Sequence, residues 1–181
     1  PPPPPPPRPP PPPPPPPSPP PPAASIPVGV QRNIATATIT AGLSCITRYN
    51  QPYSHATQSG DVRAYSVGAS PYKYAILGAR SGASGNFLLA AVGEYDSVFA
   101  ATYSTNTAYE HNGAYWYFYS PKSIGFSSVP SVSLNSADTA GSNPSDRLSW
   151  HLDISAGGYR VGATMGLNGA ANYNKVVMYC N

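Results

Sequence analysis

PPPPPPPRPPPPPPPPPSPPPP, residues Pro1 to Pro22, divides this chain into two kinds of structure. Only Arg8 and Ser18 interrupt the proline. Proline holds φ near −65° and has no backbone N–H, so such a run can join neither a helix ladder nor the middle of a sheet. What remains is polyproline II, a left-handed rod that rises about 3.1 Å per residue without internal hydrogen bonds. Twenty-two residues give a rod of roughly 70 Å, longer than the expected width of the domain attached to it. The chain therefore reads as a stalk (1–22), a joint (23–30) and a head (31–181). A sequence that begins at Pro1 is expected to be a processed product or a fragment.

Outward from the stalk, strand signals come one after another and helix signals are scarce. Ile34-Ala-Thr-Ala-Thr-Ile-Thr40 alternates apolar and hydroxyl residues with period two. Further strands are predicted over Leu43 to Tyr49, ahead of a turn-like Asn50-Gln51-Pro52, then over Asp61 to Val67, Lys73 to Ala79, Asn86 to Val92 and Asp96 to Thr102. Ala114 to Ser120, Arg147 to Leu152, Gly158 to Gly162 and Lys175 to Tyr179 complete the set. The segments between them are rich in Gly, Asn and Ser. About ten short strands at this spacing predict an all-β head, an antiparallel sandwich or barrel.

Charged residues are only 9% of the chain and the net charge is +3. The ten Lys and Arg form no cluster, so nothing marks a phosphate-backbone partner, and nucleic acid is not expected. No apolar run reaches membrane-spanning length. The weakly charged surface, rich in Ser, Thr, Asn and fourteen Tyr, suits sugars, wall polymer or further copies of the chain.

Two cysteines stand near the two ends of the head, Cys45 and Cys180. This is the opposite of metal-site spacing. They read either as one disulfide tying the ends together, which implies an oxidising compartment, or as two free buried thiols.

Ser18-Pro19-Pro20-Pro21-Pro22 gives the stalk its sharpest feature. With it, residues 1–22 resemble the stalks of hydroxyproline-rich glycoproteins, the plant extensins and the pherophorin-type wall proteins of green algae. The resemblance implies hydroxylated, arabinosylated prolines at Pro19 to Pro22, a Ser18 that carries galactose, and a place in an extracellular wall or at the cell surface. The competing reading is an undecorated proline-rich linker or a ligand for a polyproline-binding domain. The head lacks the many cysteines of pherophorin domains, so their function is not carried over. Trp116-Tyr117-Phe118 with Gly125-Phe126, Arg147 to His151, Gly157 to Arg160 with Gly162, Leu167-Asn168 and Lys175 to Val177 resemble a β module at the ends of surface proteins. That likeness implies surface display and little else.

If 114–120 is a strand, Trp116 and Phe118 point one way and Tyr115, Tyr117 and Tyr119 the other. The three tyrosines are then either contact residues for sugar rings or a neighbouring stalk, or half-buried parts of a sandwich strand. Trp150 and Tyr159 carry the same two readings. Catalysis is not expected. His55, His111 and His151 lack metal-ligand spacing, there is no G-x-S-x-G elbow, and Glu94, Asp96 and Glu110 read as turn or surface acids rather than a glycosidase pair. No metal and no cofactor are expected, and with no N-x-S/T sequon any glycan is O-linked. The function expected is that of an extracellular structural glycoprotein whose copies assemble through stalk–head contacts. The alternative is a lectin-like head on a rigid spacer.

Overall fold

A computed structural model describes residues 1–5, 15–16, 25–82, 84–101, 108–130, 132–133, 138–139, 144–153 and 157–181. Ser18, Pro19, Pro20, Pro21 and Pro22 lie outside the described residues, and Pro1 to Pro5 with Pro15 and Pro16 are exposed.

In chain order the strands are β1 (Gln31–Ala35), β2 (Cys45–Pro52), β3 (Tyr74–Ser81), β4 (Asn86–Glu94), β5 (Tyr109–His111), β6 (Ala114–Tyr119), β7 (Ser123–Ser127), β8 (Val132–Ser133), β9 (Asp138–Thr139), β10 (Leu148–His151), β11 (Gly158–Val161) and β12 (Tyr173–Cys180). Two five-stranded sheets form, in the orders β1-β4-β3-β12-β2 and β11-β10-β7-β6-β5, with β8 and β9 pairing separately. Every strand pair is antiparallel. The head is an all-β sandwich rather than a closed barrel.

Period two builds the core. Ala75, Leu77 and Ala79 of β3, Leu89 and Ala91 of β4, and Val177 and Tyr179 of β12 face Trp116 and Phe118 of β6, Ile124 and Phe126 of β7, and Leu148 and Trp150 of β10. The other face of the first sheet is also covered. Ile76, Phe87, Ala90, Val92, Val176 and Met178 lie under Ile39, Leu43 and Ile26. Ile39 and Leu43 come from the chain between β1 and β2, which sit on opposite edges of the sheet.

This crossing corrects the strand expected over Ile34 to Thr40. The strand ends at Ala35 and Thr36–Ile39 is one helical turn. The turn carries Ile39 onto the sheet, and the Thr40 hydroxyl donates to Thr36 O at 2.8 Å. Asn50-Gln51-Pro52 is not a turn but the end of β2, paired with Val176, Lys175 and Asn174 of β12.

Two other expected strands are helical turns. Asp61 to Val67 instead contains the end of Ser59–Val62, closed by a capping box between Gln58 and Asp61. Beyond it, tyrosine hydroxyls satisfy the backbone in place of a neighbouring strand. Tyr179 Oη donates to Val62 O and accepts from Ala64 N–H. Tyr95 Oη donates to Tyr65 O and accepts from Tyr65 N–H. Asp96 to Thr102 begins within the turn Tyr95–Val98. There Tyr95, Val98 and Phe99 are all buried, at the i, i+3, i+4 spacing of one helical face. Thr102 lies outside the described residues.

Cys45 and Cys180 form a disulfide, Cα–Cα 4.1 Å. They are directly opposed in the β2–β12 register. Ser44 and Asn181 beside them exchange both backbone hydrogen bonds, so the cysteines occupy the adjacent non-hydrogen-bonded position, where facing Cα atoms come closest.

The joint is pinned to the head. Asn112 and Gly113 have φ of 51° and 73° and make the two-residue turn between β5 and β6 that needs positive φ at both positions. Asn112 Nδ2 donates to Pro27 O at 2.8 Å and to Val92 O at 2.9 Å. Gly29 N–H donates back to Asn112 O at 2.7 Å.

Candidate functional site

The outer face of the second sheet carries the tyrosines singled out from the sequence. β6 alternates as expected, with Trp116 and Phe118 wholly buried in the core. Tyr115 and Tyr119 are half-buried on the opposite side. Tyr117 is buried, 2% exposed, which removes it as a contact residue. Two features of the sequence produce this. Gly125 faces Tyr117 across β6 and β7, and a Cβ there would stand 2.7 Å from Tyr117 Oη and 2.1 Å from Leu148 O. β9 also lies against β7 and β10, where the short side chains Ser127 and Ser149 are both buried.

Trp150 is likewise not a surface residue. It is fully buried, edge-on to Tyr53 with ring centroids 6.4 Å apart. Tyr53 seats there because Gly158 leaves it room: a Cβ on Gly158 would come within 1.7 Å of Tyr53 Cδ1.

Tyr159 is different. The β10–β11 register slips between Ser149 and Trp150, so Ser149 opposes Arg160, Trp150 opposes Gly158, and Tyr159 is the extra residue. A bulge of this kind re-aims a side chain. Here it brings Tyr159 edge-on to His151, centroids 6.2 Å apart. His151 in turn shares a cross-strand row with Ser123 and Tyr119. Tyr119, His151 and Tyr159, each half-buried, thus make a ledge at one end of the sheet, with the short, buried Ser123 between the first two.

Beside the ledge opens a cleft of about 410 Å³ lined by Gln58, Ser59, Ser120, Pro121, Leu152 and Asp153. Ser59 Oγ and Ser120 Oγ are hydrogen-bonded across it at 2.7 Å. Burial holds the His151 imidazole below its ordinary pKa; Asp153 opposes that effect and Lys175 adds to it. The ring is therefore neutral at neutral pH.

Behind this region lies a buried cation. Lys175 of β12 is wholly buried. Its Nζ donates to His55 O and to Thr57 Oγ1, both at 2.5 Å, and Thr57 Oγ1 also bonds Tyr49 Oη at 2.6 Å. Burial pulls its pKa down to about 8, against a smaller opposing effect of Asp61. Two of the acids weighed as a catalytic pair accept hydrogen bonds from the backbone. Asp96 accepts from Gly68 N–H at 2.9 Å, and Glu110 accepts from Gly113 N–H at 3.0 Å.

Of the aromatic residues singled out in the sequence, Tyr119 and Tyr159 remain half-buried on the outer side, and the structure brings them together through His151. Ser59, Ser120, Leu152 and Asp153 carry no joint signal in the sequence, because three separate loops supply them. Comparison with protein-family models, curated proteins and solved structures finds no match. What the head does is accordingly read from its own geometry. No helix among the described residues is long and apolar enough to cross a membrane.

Proposed function

We propose that this protein is an extracellular structural glycoprotein of a cell wall or cell surface. Its β-sandwich head sits on a hydroxylated, O-glycosylated polyproline rod, and copies assemble into a layer or filament through stalk–head contacts. The observations that carry the reading are the proline-rich stalk in the sequence and a joint pinned to the head. A 22-residue proline-rich stalk runs into a joint whose Pro27 and Gly29 are hydrogen-bonded to the β5–β6 turn. The head beyond is closed end to end by Cys45–Cys180. A stiff rod on a rigid head transmits load and spacing, which a flexible linker does not. The disulfide agrees with an oxidising, extracellular setting.

The head is read as a packing and binding module, not an enzyme. A second reading, a lectin-like head on a spacer, is favoured by one feature. The cleft holds the hydroxyls of Ser59 and Ser120 and the carboxylate of Asp153, whose chain neighbours Tyr119 and His151 share one cross-strand row, a combination that suits a sugar.

Intact-mass spectrometry of the protein from its native source tests the main reading. Increments of one oxygen per modified proline together with pentose ladders on residues 1–22 are expected. A mass equal to the bare sequence overturns the glycoprotein. Assembly that soluble wall sugars abolish, with the stalk irrelevant, favours the lectin-like reading.

A further inference from the structure

We propose that the ledge of Tyr119, His151 and Tyr159, with the cleft beside it, seats the polyproline stalk of a second copy of this chain. This rests on the stalk-and-head reading and gives it a site.

The spacing fits. Tyr119 and His151 lie in one row, two strands apart, with Ser123 between them. Two inter-strand steps are about 9.6 Å. Polyproline II repeats every three residues, about 9.3 Å along its axis. A rod laid across the strands therefore presents the same face to both rings one turn apart. Tyr159 prolongs the ledge beyond His151. Pyrrolidine rings packed on such a row repeat the way aromatic grooves bind polyproline segments.

The chemistry fits as well. The rod offers carbonyls and almost no donors. In the Ser59–Ser120 pair, whichever hydroxyl accepts keeps its own hydrogen to give. Arg8 is the one charged side chain of the stalk, and Asp153 is the one charged side chain among the described residues that line the cleft. Their pairing sets the register.

The occupant is another copy because of where the stalk leaves. The joint is held at Asn112, at the start of β6, and Tyr119 stands at its other end. That is about 20 Å along the strand. Ile26, just before that anchor, packs on the outer face of the first sheet, on the far side of the sandwich from the ledge. The rod's length carries it to a neighbour. The contact is heterologous, so it propagates unless the rotation closes a ring.

The test uses the full chain in sedimentation velocity over a concentration series, with thermal midpoints as a fold check. Arg8→Asp and Asp153→Arg are each expected to raise the concentration for half-assembly about fivefold or more. The double variant R8D/D153R is expected to restore it. Tyr119→Ser with His151→Ser is expected to abolish assembly, and Tyr159→Ser repeats that test should the pair fail to fold. Charge reversals without mutual rescue overturn the Arg8–Asp153 register. Ledge variants that assemble like wild type overturn the seat, while stalk-dependent assembly itself still stands. Assembly that persists after residues 1–22 are replaced by a Gly/Ser repeat sinks the underlying reading instead. A chain that stays monomeric with its ledge protected by its own stalk overturns the second copy.

Discussion

Replacing Lys175 by methionine isolates an unfavourable buried group of the head. The ammonium is buried, and the hydrogen bonds it donates go to neutral groups, His55 O and Thr57 Oγ1. Its pKa falls from 10.5 to about 8 because burial disfavours the charged form. Proton counting sets the sign. Below pH 8 the folded and unfolded chains both hold this proton, so the residue contributes no slope. Between 8 and 10.5 the unfolded chain holds more, and stability rises with pH. The full gap is worth about 3 kcal/mol, and about 2 kcal/mol of it falls between pH 8 and 10. Buried tyrosines act the other way. Burial raises the pKa of Tyr49, Tyr53, Tyr95 and Tyr179, so stability is lost as the unfolded chain ionises near pH 10. Both proteins share that loss, and the difference between them removes it. Urea unfolding followed by the fluorescence of the buried Trp116 and Trp150 provides the assay. K175M is expected to match or exceed wild type at pH 7. Wild type is then expected to gain on it by about 2 kcal/mol from pH 8 to 10, about 1 M in urea midpoint. A difference that stays flat across that range refutes the buried, pKa-depressed lysine.

Other consequences can be measured on the same scale. Alkylation of the unfolded, unreduced protein is expected to label neither Cys45 nor Cys180. Reduction is expected to lower stability by up to about 5 kcal/mol, as the chain-entropy estimate gives for a loop of 135 residues; labelling of both thiols contradicts the bond. Gly158→Ala, which drives a methyl into Tyr53, is expected to cost about 3 kcal/mol or more in chemical denaturation. Asn112→Gly keeps the turn but removes the bonds to Pro27 O and Val92 O. A loss of about 1–2 kcal/mol with faster amide exchange across residues 28–30 is expected, and unchanged exchange refutes the pinned joint.

The legible elements are those with one covered face and one polar face, or with both faces covered. β6 shows its aromatic alternation openly, and β3, β4 and β12 carry long apolar runs because both faces of their sheet are covered. β7 gives no strand signal for a related reason. Its core side is Ile124 and Phe126, but its other side is Ser123, Gly125 and Ser127, kept small beneath another layer. Serine and glycine read as loop when the layer above them is unknown. Residues 61–67 read as a strand because their backbone partners are the hydroxyls of Tyr95 and Tyr179, 30 and 115 residues away from the groups they bind. By contrast, the i, i+3, i+4 pattern of Tyr95, Val98 and Phe99 is present in the sequence and belongs to a helical turn. At the site, Tyr119 and Tyr159 stand out as aromatic residues in predicted strands. Trp150 and Tyr117 stand out equally but are enclosed, and only the β10–β11 bulge separates Tyr159 from them.

The central claim is that the stalk joins one head to the next. Sedimentation velocity of the full chain, beside a version with residues 1–22 replaced by a Gly/Ser repeat of equal length, tests it most directly. Concentration-dependent growth of the native chain and a folded monomer for the replacement are the predicted pair of results. Equal growth of both contradicts the claim and leaves the stalk as a spacer.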